Sequence, residues 1–135
     1  MPIWGEKVLL AVMSLTTLGF GTAYLLTPEA MAALSGLAVT RPEATAELRG
    51  YYGGLQIGMG VLFALGLRFP SWSHIGLGAA TVLFLANGLG RVLGIVLVGQ
   101  VDSFNLGGVV FEFTFGVLAL TLLRSRQQLL VRELP

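Results

Sequence analysis

Glu47-Leu48-Arg49-Gly50-Tyr51-Tyr52-Gly53-Gly54-Leu55-Gln56-Ile57-Gly58 sets charges, tyrosines and a glycine ladder inside what otherwise reads as a membrane-crossing helix. A charged side chain at the centre of such a helix costs about 3 kcal/mol or more unless it faces protein or a wet cavity. The segment is therefore expected to look inward.

The rest of the chain supports a membrane setting. Its 135 residues are 55% hydrophobic and only 11% charged, with a mean hydropathy of +0.83. That composition belongs to an integral membrane protein of one domain. A net charge of +1 with scattered basic residues excludes a nucleic-acid binder. The absence of cysteine excludes disulfides, thiolate chemistry and cysteine metal sites.

Four apolar runs, over 8–26, 43–67, 75–98 and 104–123, have the length needed to cross a bilayer. The first is too long for a signal-peptide core, and no soluble domain follows it for export, so it is read as a span. Thr27-Pro28-Glu29 supplies a capping residue, a proline for the first helical position and an acid, predicting a short interfacial helix over 27–38 that Gly36 ends. Thr40-Arg41-Pro42-Glu43 repeats the start signal for the second span. Arg68 to His74 reads as a polar turn, and 124–135 as a basic cytoplasmic tail. The fold class is an all-α, integral membrane four-helix bundle.

Lys7, Arg68, Arg124, Arg126 and Arg132 fall at one end of such a bundle, whereas the opposite loops offer only Arg41. The positive-inside rule then places both termini in the cytoplasm, in an inner (plasma) membrane. Counting about 1.5 Å per residue sets Arg91 and Glu112 about 13 Å inside the far surface, and Glu47 and Arg49 about 8 to 10 Å inside it. The charges balance as arginines Arg49 and Arg91 against glutamates Glu47 and Glu112. Glu47 and Arg49 cannot pair on one helix, so Arg91 is expected on Glu112 or Glu47 and Arg49 on the remaining acid.

Asn87 stands one turn before Arg91, and Asn105, Gly108, Glu112 and Gly116 form a stripe on the fourth span. Glycines at 50, 54 and 58, and at 90 and 94, are expected to pack helices closely. A narrow cleft should remain beside them, lined by Tyr51, Tyr52, Phe111 and Phe115, and Tyr24 and Gln56 border the same zone as the charges.

Glu47-x-Arg49-x-x-Tyr52-Gly53-Gly54, Gly90-Arg91-x-x-Gly94 and the lone Glu112 together resemble the DUF4345 family of small bacterial four-helix membrane proteins, itself similar in architecture to the DoxX-like group. The resemblance spans nearly the whole chain. It implies a four-helix membrane bundle and no assigned reaction.

Two functional readings follow. In the first, a cleft takes a small lipophilic molecule or lipid, with Arg49, Tyr51, Tyr52, Gln56, Asn87, Arg91 and Glu112 as binding residues and Glu47 or Glu112 as the proton-handling, candidate catalytic groups. In the second, the charges are inter-helix ion pairs in a homo-oligomer or a subunit of a larger membrane complex. Whether any reaction occurs stays open. The lone His74 in a turn supports no metal site, and no cofactor is implied. Ser14, Thr16, Thr17 and Thr22 are expected to bond their own helix backbone, since no base lies at their level.

Overall fold

The computed structural model describes residues 4–132, with side chains to residue 128, so the last residues of the expected tail, 133–135, lie outside it. Five helices make up the described residues. Helix α1 (Trp4–Leu26) is followed by a short α2 (Pro28–Leu34). Helix α3 (Pro42–Arg68), α4 (Pro70–Val98) and α5 (Ser103–Arg132) complete the chain. Helices α1, α3, α4 and α5 are each long and apolar enough to cross a membrane.

Local sequence explains where these elements begin and end. Pro28, Pro42 and Pro70 each occupy a first-turn position, where the missing N–H is harmless and the fixed φ suits a helix. The turn expected from Arg68 to His74 contracts to Phe69 alone, whose extended backbone (φ −118°, ψ 115°) is what a residue before proline adopts. Gly36 and Gly99 close α2 and α4 at φ 75° and 70°, in the left-handed region that glycine enters without strain.

Helix α3 holds a feature that hydropathy does not signal. From Leu48 to Gly54 it widens into a π-helix. Gly50, Gly53 and Gly54 weaken the ordinary helical preference there, and the wider turn seats Gly53 against α1. A Cβ on Gly53 would stand 2.6 Å from Leu25, and one on Gly21 would stand 2.8 Å from the Gly53 carbonyl oxygen. The two backbones touch because neither has a side chain.

The helices alternate in direction and are well packed at one end, here called the terminal end because residues near both ends of the chain meet the α3–α4 turn there. Leu9, Leu10, Met13, Phe63, Leu77, Ala80, Phe84 and Ala119, contributed by all four long helices, form a continuous buried core. At the distal end a smaller core of Tyr24, Ala32 and Leu48 lies under α2. There the bundle divides: the π-helical turn rests chiefly on α1, and α4 pairs with α5.

Glycine placement departs from the expectation. Positions 50, 58, 90 and 94 meet nothing within 4 Å of an added Cβ, and at 54 the nearest atom is the Arg49 carbonyl oxygen of the same helix. The ladders therefore face outward. Close packing depends instead on Gly21, Gly53 and Gly60 between α1 and α3, and on Gly88 and Gly116 between α4 and α5. Ser14 also departs from the expected local bond, donating to the Gly60 carbonyl across that interface at 2.8 Å. Thr16 and Thr17 do bond within their own helix.

Replacing Gly21 by Ala should therefore destabilise the bundle by about 1–3 kcal/mol through overpacking, whereas Gly58→Ala should be neutral or slightly stabilising. Unfolding of both variants in detergent, followed by circular dichroism, checks the contrast; equal losses would contradict the assigned faces.

Candidate functional site

Where α4 and α5 run together, glycine again makes room. The backbone of α5 is bare at Gly108, and the Arg91 guanidinium lies over it so closely that a Cβ would stand 2.7 Å from Nε. Arg91 Nε donates to both Glu112 oxygens (3.3 and 3.1 Å), and Nη2 donates to Oε1 at 2.8 Å. Nη1 donates to Asn105 Oδ1 at 2.9 Å. Asn87 Nδ2 donates to Glu112 Oε1 at 2.7 Å.

The stripe Asn105, Gly108, Glu112 and Gly116 thus faces α4, with Gly116 against Leu85. Glu112 is the deep partner and Arg91 the accessible one, with 6% and 26% of their side chains exposed. Because arginine and glutamate can both reach one another bidentately, this contact fixes register as well as charge.

Asn105 extends the network to the distal surface. Its backbone N–H donates to Asp102 at 2.9 Å, and its side-chain amide also donates to that carboxylate. These bonds, the backbone one first, hold the Asp102 carboxyl below the usual aspartate range. A continuous chain of polar contacts therefore runs from exposed Asp102 through Asn105 and Arg91 to buried Glu112.

The remaining sequence candidates are elsewhere. Arg49 does not pair with Glu47; its Nε donates to the Leu25 carbonyl at 3.0 Å, satisfying an orphan acceptor at the end of α1. The expected pairing of Arg49 with a glutamate fails for a geometric reason. The first turns of α3 project past the end of α1, so Arg49 belongs to the rim.

Glu47 is exposed and lines a shallow recess with Tyr51 and Tyr52. Tyr52 stacks on buried Tyr24 with ring centroids 5.0 Å apart. Gln56 is half-buried and makes no side-chain hydrogen bond among the described residues. Below this level Phe63, Phe84, Phe111 and Phe115 follow one another at centroid distances of 6.2, 5.8 and 4.5 Å.

A second polar cluster went unread in the sequence. Glu6, 1% exposed, accepts from Ser73 Oγ at 3.0 Å and from Arg126 Nη1 at 2.9 Å. Arg126 Nη2 also donates to the Pro70 carbonyl at 3.0 Å. One buried carboxylate thus ties α1, α4 and α5 together at the terminal end. The only available signal was an acid at the mouth of a span, which reads equally as a helix-dipole partner. No group of three metal-ligating side chains is found among the described residues.

Four membrane-length helices, with an ion pair bridging α4 and α5, define a multi-pass membrane bundle. Residues 5–123 match the family model described as a domain of unknown function, DUF4345, and the chain belongs to that family. No curated protein and no solved structure matches it.

Asp102 titrates outside the spans and its folded pKa is lowered, so its contribution to stability is full above the unfolded aspartate pKa and is lost as pH falls through the folded value. Asp102→Asn should flatten that acid limb of the melting temperature and leave neutral pH little changed. Thermal melts across the acid range check this; an unaltered limb would contradict it.

Proposed function

We propose that the protein is a membrane-embedded binding bundle that admits a small amphiphile laterally, between the distal half of α3 and the α4–α5 pair, with its polar end on Arg91. The observation carrying this reading is the state of the Arg91 guanidinium. Of its five N–H donors, those on Nε, Nη1 and Nη2 that meet Glu112 and Asn105 leave one on each terminal nitrogen over. Those donors belong to a partly exposed side chain inside a span, where a leftover donor needs an acceptor. A carboxylate or carbonyl on a lipophilic molecule fits that need. In this reading Tyr52 of α3 offers its hydroxyl to the same polar end, and the phenylalanine series offers an apolar floor for the body of the ligand.

Both oxygens of Glu112 are engaged by Arg91 and Asn87, so in this reading it orients the arginine. No reaction is assigned. The orientation that accords with the basic residues at the terminal end puts both termini in the cytoplasm and the cleft in the outer half of a bacterial inner membrane. A second reading, a subunit of a homo-oligomer or larger membrane complex, draws support from the outward glycines at 50, 58, 90 and 94, which would let another helix approach.

The test is native mass spectrometry of the protein purified in mild detergent. A bound amphiphile distinct from the phospholipids should appear, and Arg91→Lys, which keeps the charge but loses the fork, should reduce its occupancy about tenfold. Tyr52→Phe should lower it with an unchanged melting temperature. A wild-type protein carrying no such molecule, or equal occupancy in all three proteins, would sink the proposal.

A further inference from the structure

The distal rim holds a separate constellation. Arg41 and Arg49 line one open recess of about 600 Å³ together with Glu29, Thr40, Thr45 and Val39. Neither arginine has a carboxylate within ion-pair distance among the described residues. Arg49 is anchored through Nε to Leu25, and its terminal nitrogens make no hydrogen bond there. Glu29 accepts from Thr45 Oγ1 at 2.9 Å. Backbone hydrogen bonding and then Thr45 hold its carboxyl below the ordinary glutamate range, so it is ionised at neutral pH. The recess thus presents two guanidinium groups and one carboxylate.

Beside it runs a mainly apolar recess that shares Val39 and is lined further by Leu37, Ala44, Leu48, Tyr51 and Tyr52, with the Glu47 carboxylate at its edge. The level of the pair is set by Leu25, in the last turn of the membrane-length α1. At the end of a span, the surrounding medium is the headgroup layer of the bilayer.

We propose that this rim site holds one phospholipid whose headgroup joins a phosphodiester to a primary ammonium, as in phosphoethanolamine lipids. The phosphodiester meets Arg41 and Arg49, the ammonium donates to Glu29, and the glycerol and first methylenes pass Val39 into the apolar recess. Charge pattern selects this chemistry. A purely anionic headgroup would leave Glu29 facing negative charge, and a choline headgroup has no N–H to donate. A free phosphate or phosphoethanolamine would leave the apolar recess without an occupant. The site shares neither Arg91 nor Glu112 with the amphiphile proposed there; Tyr52 alone borders both, and the variants below leave it unchanged.

Lipid titration of the full chain in neutral detergent, followed by native mass spectrometry, tests the proposal. The probes are phosphatidylethanolamine, phosphatidylcholine and phosphatidylglycerol of matched chains, and free phosphoethanolamine. Phosphatidylethanolamine should bind tightest. Arg41→Ala, which removes an exposed side chain with no hydrogen bond among the described residues, should weaken it about tenfold, the equivalent of one charge-assisted hydrogen bond. Glu29→Gln should erase the preference over phosphatidylcholine. The proposal is overturned if Arg41→Ala leaves the affinity unchanged or Glu29→Gln keeps the preference. It is likewise overturned if either other lipid, or free phosphoethanolamine, binds as tightly as phosphatidylethanolamine.

Discussion

A carboxylate placed well inside a membrane-crossing helix has to find donors within the protein, and in this chain Glu112 finds them on a single neighbouring helix. Arg91 and Asn87 both come from α4, so the pair of helices α4 and α5 is fixed in register by that one acid. The geometry has a consequence for the backbone: the guanidinium needs the space a side chain at position 108 would fill. Helix packing between membrane spans receives no hydrophobic driving force from lipid, so close contact and polar bonds decide which helices associate. Here both act at the same place.

The opposite half of the molecule is built on a different device. Helices α1 and α3 meet backbone to backbone at Gly21 and Gly53, and the Ser14 hydroxyl bonds across to the α3 backbone at Gly60. The two pairs are joined by the aromatic and aliphatic core at the terminal end and by Glu6, which binds Ser73 and Arg126 at once. Towards the distal end no hydrogen bond or ion pair among the described residues joins them. The division there follows from where the chain put its small residues and its charges.

The spans were legible because apolar runs of this length have few alternatives, and Pro42 marked the start of the second; Pro70, taken into a turn, in fact opens α4. Arg91 and Glu112 were legible because an inward acid and an inward base must meet, and Asn105, Gly108 and Glu112 recur on one helical face. The pairing of Arg49 with an acid was misread because α3 was considered without the end of α1, where the Leu25 carbonyl takes the arginine instead. The π-helical turn leaves the hydropathy pattern intact, so periodicity could not reveal it. For the glycine ladders, spacing identifies a smooth face but not which side of the bundle it takes. Glu6 and Arg126 stand 120 positions apart, and each has an ordinary explanation by itself: an acid in a first turn and a base near the headgroups.

A double-mutant cycle on Arg91 and Glu112, with leucine at each position and unfolding measured in detergent, addresses the central pairing most directly. Because either single change strands a charge within the span, the double variant should be more stable than the sum of the two losses implies, with a coupling of about 1–3 kcal/mol. Losses that simply add, to within about 0.5 kcal/mol, would mean that the two side chains do not hold one another and that α4 and α5 are registered by something else.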